Sequence, residues 1–547
     1  MTGGEAVVDA LTAHGVDTVF GIPGAHNLSV YDALLDGNIR HIQARHEQGA
    51  AFMADGYARA SGRIGVCLVT SGPAALNTLT SLGTAYSDSS PVLCIASQIP
   101  TAGIGCEKGY LHECTDQLAC FHPVTDWAKR AESVASISNL LRDAIAHMLN
   151  GRSRPAFLEI PCDILDAVAE TEACYPREVS RLQPKLEDVA IAAKHLRFSK
   201  NPVIWVGGGV IASNAGQELC QLAERLQTPV FTTVLGKGAI PEDHPLSAGT
   251  AILHPIAQEF VANCDLMLAI GTRFTEEETF GWKLYLPKTL IHIDVDSREL
   301  HRNYPATAGI TGDALESLKL LNEALSDMDE RSESATKVAT LKKAIFCDCR
   351  AIAPEGVDLV QTFQDVFPRD TILVSDLTVA AYWCRRLLEL YEPRSNIYPW
   401  GFCTLGFGLP AAIGAKLACP DRPVVCLTGD AGFLFNSQEL AVSVECNIPV
   451  VIIIFNDNGY GALRPQQVHR FGRTNSVDAC NPNFVDLSQA YGVHAKRVDE
   501  ISHLGSALKE ALNTDAIALI EVNVTVPPQI MEPSPRALYI AANKLAV

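Results

Sequence analysis

No apolar run in this chain approaches the roughly 20 residues that a membrane-spanning helix needs. The longest, IPVVIIIF at 448–455, has the length of a buried parallel strand. Basic residues are also short: 43 Lys and Arg stand against 62 Asp and Glu, a net charge of -19. That balance excludes nucleic acid and anionic membrane as main partners, since both call for a basic face. The 17 cysteines lack the paired spacing of a zinc site, and Cys347-Asp348-Cys349 is their closest grouping. They read as reduced thiols, mostly in the core. A first helix is expected within the first ten residues with no secretory signal ahead of it, so the expected location is cytoplasmic. Missing too is a dinucleotide fingerprint, because the GGG at 207–209 lacks its spacing.

What is present is an ordinary globular composition, 48% hydrophobic and 19% charged, over 547 residues. That length exceeds one core and calls for several domains. Three alternating α/β blocks are visible, each expected to be a doubly wound parallel-sheet domain: 1–171, 185–328 and 353–547. CYPREVSRLQPKL separates the first two blocks and SDMDERSESATK the last two. The middle block holds the strand-like runs in NPVIWVGGG, DLMLAIGTRF and TLIHIDVD. Blocks one and three share one plan: apolar strand, small-residue turn, helix, then Pro-Val opening another strand. Val66 to Pro91 is 25 residues and Val425 to Pro449 is 24, which reads as a duplication with divergent roles.

The third block contains GDAGFLFNSQELAVSVECNIPVVIIIFNDNG, with a polar cluster at each end. Both clusters follow apolar strands, so both belong at the carboxyl edge of a parallel sheet, where ligands gather. Asp430 and Asp457, 27 positions apart, can therefore meet in space. Asn436, with Glu439 three residues on, resembles an N-cap and its capping partner. The helix so begun offers free N–H groups to a phosphate. Two hard oxygen ligands beside it suggest Mg²⁺ shared with a diphosphate. Either aspartate alone is more simply a turn or cap residue. The signal lies in the pair.

That pair resembles the thiamine-diphosphate signature, a Gly-Asp-Gly followed by a metal-binding Asn at this spacing. Here Ala431 takes the third position and Asp457 the usual asparagine. Other segments carry the same resemblance. RHEQGAAFMADGYARASG is close to an Arg-His-Glu motif, GIPGAHN to a Gly-x-Pro-Gly turn, and TSGPAALN to Ser-Gly-Pro-Gly-x-x-Asn with Ala74 for a glycine. GTRF and HIDVD match a middle domain, and GFCTLGFGLPAAIGAKLA a segment that props a bent cofactor. Over nearly its whole length the chain resembles the acetolactate synthase-like group of thiamine-diphosphate decarboxylases and carboligases.

The resemblance implies thiamine diphosphate and Mg²⁺ as cofactors, with FAD open but not expected. It implies Asp430, Asp457 and the Gly459 carbonyl as metal ligands. Gly429, Ala431, Gly432, Asn458 and Thr378 would line the diphosphate end. Glu47 would face N1′ of the aminopyrimidine, near Pro23, Ser71 and Asn77. Leu405 would support the two rings, and the Cys403 carbonyl would accept from the 4′-amino group. Glu47 and Asp430 would come from different subunits, so the expected assembly is a homodimer or homotetramer with its sites at the interface. On the residues alone, Glu47 is an ordinary helix-face glutamate and Leu405 an ordinary core leucine.

The reaction implied is decarboxylation of a small-molecule 2-oxo acid to CO₂ and an aldehyde, with carboligation as a side activity. His26, His112 and Gln98 are the candidate catalytic residues around the reacting centre. Arg464 is a candidate for the substrate carboxylate or for surface pairing. GIPGAH, LHE and YPWGFCTLGFGLPAAIGAKLA resemble most the 5-guanidino-2-oxopentanoate decarboxylases. A guanidinium needs acidic neighbours, which FTEEETF or Glu113 could supply. Acetolactate synthase and a benzaldehyde-lyase-like acyloin lyase are the alternatives. AGTAILHPIAQ departs from the flavin segment of the former, so the middle domain is expected to be a scaffold.

Overall fold

The computed structural model describes residues 1–328 and 334–527; part of the second expected boundary and the end of the third expected domain lie outside them. The apolar runs form strands buried on both faces, as parallel strands covered by helices must be. Sheet one contains β1 (Thr18–Gly21), β2 (Arg40–Gln43), β3 (Gly65–Val69), β4 (Val92–Gln98), β5 (Trp127–Arg130) and β6 (Ala156–Pro161). Sheet two contains β7 (Pro202–Val206), β8 (Val230–Thr232), β9 (Ser247–Gly249), β10 (Leu266–Ile270), β11 (Thr289–Asp294) and β12 (Ala308–Thr311). Sheet three contains β13 (Ile372–Ser375), β14 (Asn396–Ile397), β15 (Val424–Gly429), β16 (Val451–Phe455), β17 (His494–Val498) and β18 (Ala518–Val522). Each is a six-stranded parallel sheet. Residues 171–185, where the first boundary is expected, form neither helix nor strand.

The strand orders are informative. Sheet one runs β2-β1-β3-β4-β6-β5 and sheet three runs β14-β13-β15-β16-β18-β17, the same order position for position. The plan shared by their sequences therefore extends to the whole topology. Sheet two runs β12-β11-β10-β7-β8-β9, the order of doubly wound dinucleotide-binding sheets.

Sheets one and three are joined by equivalent helices. Glu47–Ser61 follows β2, Gly408–Ala418 follows β14 with its loop, and the two pack together. Their small residues are explained by that contact. A Cβ on Gly56 would lie 2.0 Å from the Ala411 carbonyl oxygen, and one on Gly414 would lie 1.9 Å from that of Met53. Around them Phe20, Phe52, Met53, Phe407, Ile413 and Phe433 belong to one continuous apolar core. The first and last thirds of the chain thus fold onto each other, with the central sheet on cores of its own.

Candidate functional site

In sheet three the strand order reverses at β13, so the cleft between the carboxyl ends of β13 and β15 is a switch point. Thr378 lies on one side of it, buried at the start of the helix Val379–Leu387. Gly429 lies on the other, facing Thr378 closely enough that a Cβ would touch it at 3.5 Å. The chain leaves β15 directly into the helix Asp430–Phe435, which starts with Asp430, Ala431 and Gly432.

Asp430 is buried, and its Oδ2 accepts the Gly459 N–H at 2.7 Å and the Asn481 amide at 2.6 Å. That ties the end of β15 to the loop after β16. Burial, and then the charge of Asp430, push the Asp457 carboxyl up to about 6 against the pull of Arg464. The two aspartates are therefore within electrostatic reach of each other. Among the described residues no group of three or more His, Cys, Asp or Glu side chains could hold a metal ion. Two carboxylates with backbone oxygens suit a hard cation whose remaining ligands come from a phosphate. Asn458 and Gly459 carry positive φ, 52° and 139°, which turns this loop back across the β15 edge. The donor set fits Mg²⁺ held with a diphosphate.

The expected capping box is not formed. Asn436 ends the helix Asp430–Phe435 and stands at the N-cap position of the 3-10 turn Ser437–Glu439, but its side chain makes no cap bond, since its Nδ2 donates to the Gly406 carbonyl at 2.7 Å. Glu439 is fully buried and turned toward Arg45. Both side chains are taken by residues distant in sequence, which overrides the local cap. The free N–H groups lie seven residues earlier, where the helix starts at Asp430.

The segment 403–408 is held by a residue that the motif comparison missed. Asp376, at the end of β13, is fully buried and accepts N–H groups of Gly406 at 3.0 Å and Gly408 at 2.9 Å. Burial raises its carboxyl to about 6, and these N–H groups pull against that rise. Its signal was available: an Asp after an apolar strand, at the same edge as Asp430. Leu405 is half-buried in the segment so held, and Cys403 has a φ of 50° with its thiol donating to the Trp400 carbonyl.

In sheet one the equivalent switch point lies between β1 and β3. Pro23 is in the turn after β1, whose Gly24 approaches Thr70 so closely that a Cβ would lie 2.6 Å from the threonine side chain. Ser71 and Gly72 follow β3. Ser71 Oγ is 2.6 Å from His26 Nδ1 and 3.3 Å from His112 Nδ1, and the two rings meet edge to face at 5.5 Å. The structure thus assembles two histidines that are 86 positions apart. Burial, and then His112, lower the His26 pKa and favour its neutral form. Glu47 is the first residue of its helix, and Asn77 donates to its Oε2 at 2.9 Å.

Gln98 is tied into a buried network. It is buried, and its amide donates to Glu159 at 3.1 Å. Gln117, unremarked in the sequence, donates to the same carboxylate at 3.0 Å and accepts the Gly72 N–H at 2.7 Å, so this network supports the Ser71 turn from beneath. Every residue of β4 is buried, because helices cover both faces of the sheet, so the Gln98 amide is inside and finds its partner in Glu159. Arg464 makes the surface pairing, with Asp478 Oδ1 at 2.7 Å. Glu113 is occupied by N–H groups of Gly109 and Tyr110.

The central sheet carries a cavity of about 460 Å³ at its own switch point, lined by Gly207–Gly209, Gly271–Arg273 and Asp294. Arg152 and Arg394 reach it from the flanking domains. Its volume lies in the range of small-molecule pockets.

Comparison with known proteins places these features. Family profiles match at residues 1–120 (thiamine pyrophosphate enzyme, N-terminal TPP binding domain), 189–321 (central domain) and 376–522 (C-terminal TPP binding domain). A probable 2-ketoarginine decarboxylase of Pseudomonas aeruginosa is 37% identical over 95% of this chain and 94% of its own. A probable acetolactate synthase large subunit of Methanocaldococcus jannaschii is 38% identical over 95% and 92%. The acetolactate synthase isozyme 2 large subunit of Escherichia coli is 32% identical over 96% of each. With Asp430 and Asp457 brought together on one topological repeat and Glu47 on the other, this chain belongs to the thiamine pyrophosphate enzyme family.

Proposed function

We propose that the chain is a thiamine-diphosphate- and Mg²⁺-dependent 2-oxo acid decarboxylase whose substrate ends in a guanidinium, with carboligation as a side activity. The observation that carries the reading is the pairing of Asp430 with Asp457 beside the turn 429–432. Asp430, Asp457 and the Gly459 carbonyl would hold the metal, and the N–H groups of the turn would meet the diphosphate. When bound, thiamine diphosphate supplies the electron sink for loss of CO₂. Glu47, oriented by the Asn77 amide, holds the proton at the cofactor's pyrimidine nitrogen. His26 and His112 both turn Nδ1 toward Ser71, which leaves each Nε2 to give or take a proton at the reacting carbon.

Support for a cationic substrate comes from the middle domain. Glu278 is buried and bonds the Val234 N–H, whereas Glu276 and Glu277 are exposed. After desolvation, Glu277 is the next cause raising the Cys403 thiol to about 11, so its carboxylate lies close to the segment assigned to the cofactor. Glu277 makes no hydrogen bond or ion pair among the described residues. The relative named as a 2-ketoarginine decarboxylase agrees with a guanidino acid. Flavin is not part of this reading.

Exposed apolar side chains at both half-sites, among them Leu28, Leu111, Phe402, Phe435 and Phe471, support a homodimer or homotetramer in which Glu47 of one subunit faces Asp430 of another. The test is CO₂ release with thiamine diphosphate and Mg²⁺ across pyruvate, branched, aromatic and guanidino 2-oxo acids, with Glu47→Gln as control. Release that needs Glu47 and is fastest with the guanidino acid is the expected result. Acetolactate from pyruvate as the main product would overturn it.

A further inference from the structure

Each of the two related domains sends one buried carboxylate into the other. Asp88 ends the helix Leu79–Asp88 in the crossover from β3 to β4, and it accepts the N–H groups of Gly401 at 2.7 Å and Trp400 at 2.9 Å. Glu439 lies in the equivalent crossover from β15 to β16, and it accepts the Arg45 N–H at 3.1 Å from Oε2 and 3.3 Å from Oε1. The recipients are equivalent as well. Trp400 and Gly401 lead from β14 into the segment of Cys403 and Leu405, while Arg45 and His46 lead from β2 to Glu47.

Nothing in the catalytic reading uses Glu439, and a fully buried carboxylate is costly unless its oxygens are bonded, so its hold on the Arg45 N–H is firm. Burial pushes it up to about 7, and the Arg45 and His46 N–H groups hold it down. Arg45 is gripped a second time by an ion pair to Glu445. Gly49, the third residue of the helix, is shaped to the carboxylate: a Cβ there would lie 2.5 Å from Glu439 Oε1.

We propose that Glu439 is a positioning residue for Glu47, with its carboxylate fixing the Arg45–His46 backbone so that the first residue of the helix points at the cofactor. The inference rests on the reading of Glu47 given above. Among the described residues the Glu47 side chain has one hydrogen bond, from Asn77, which fixes one carboxylate oxygen and leaves the placement of the residue itself to the backbone that delivers it.

The test uses the full chain and two readouts. In the cofactor-free protein, amide hydrogen exchange of the segment 44–50 reports the backbone. In the protein loaded with thiamine diphosphate and Mg²⁺, exchange of the cofactor's C2 proton with D₂O reports what Glu47 does, normalised to bound cofactor. Glu439→Ala should speed amide exchange and slow C2 exchange by at least about tenfold, with cofactor affinity within about threefold of the parent. Glu439→Gln keeps an oxygen acceptor and should restore both. Gly49→Ala displaces the carboxylate and should slow C2 exchange as Glu439→Ala does, adding nothing to it in the double variant. Gly49→Ala and Glu439→Gln carry the test if Glu439→Ala does not fold. Unchanged C2 exchange in Glu439→Ala or Gly49→Ala overturns the inference, as does a Gln variant as slow as the Ala variant. Glu47→Gln separates the two readings: if C2 exchange survives in it, the assignment of Glu47 falls and takes this inference with it. If exchange is lost in Glu47→Gln and intact in Glu439→Ala, only this inference falls.

Discussion

At the scale of single residues, Asp430 and Asp457 have different work despite their shared chemistry. Asp430 is braced by the Gly459 N–H and the Asn481 amide, both on Oδ2, so its geometry is built before any cation arrives. Asp457 is half-buried, and its charge is opposed by burial and by Asp430. Replacing Asp457 by asparagine keeps one oxygen and removes that repulsion. Asp457→Asn should therefore retain Mg²⁺ within about tenfold and raise the melting temperature of the metal-free protein by a few degrees, on the order of 1 kcal/mol. Asp430→Asn should weaken Mg²⁺ by about a hundredfold or more, because it neutralises the braced ligand. Titration calorimetry with Mg²⁺ and thiamine diphosphate, beside thermal melts, separates the two. The placement of these aspartates was legible in the sequence because each follows an apolar strand and neighbouring parallel strands present their carboxyl ends together. Gln98 and the pair Asn436 and Glu439 were not. Their partners, Glu159, Gly406 and Arg45, lie 61, 30 and 394 positions away, beyond any local pattern.

At the scale of elements, the segment 403–408 depends on Asp376. Its carboxyl is at about 6 in the folded chain against an ordinary 3.8. A raised acid binds its proton more tightly when folded, so this group favours the fold most below pH 3.8 and progressively less as pH rises through 6. A shift of this size corresponds to about 3 kcal/mol. Asp376→Asn has no proton to lose, so the difference between parent and variant in urea-unfolding stability should drift by that order between pH 4 and pH 7. The parent should lose ground to the variant as pH rises. A difference constant across that range would mean that Asp376 does not titrate in the folded chain. The strands were readable here from runs of apolar residues. The small residues of GLPAAIGAKLA were readable only as a resemblance. The reason for them, backbone contact between two helices over 350 positions apart, exists only in the folded pair.

At the scale of the whole molecule, the proposed function divides one cofactor's needs between two copies of one strand order. The first copy carries Glu47 and the histidine pair, and the second carries the loop proposed above to hold the metal. Their packing inside one chain uses the helices Glu47–Ser61 and Gly408–Ala418, and apolar side chains beside the proposed half-sites, such as Phe402 and Phe435, are left exposed. A second chain turned by a two-fold axis would complete both sites at once. That arrangement makes a quantitative prediction. Glu47→Gln and Asp430→Asn chains are each expected to be inactive alone. Coexpressed in equal amounts, about half of the dimers contain one chain of each kind. In such a dimer one site pairs the intact Glu47 with the intact Asp430, and the other site carries both lesions. The mixture should recover about a quarter of the parent's CO₂ release per chain, since half of the dimers have one of two sites working. If Glu47 and Asp430 of the same chain formed a site, no mixture would contain an intact one, and coexpression would recover nothing.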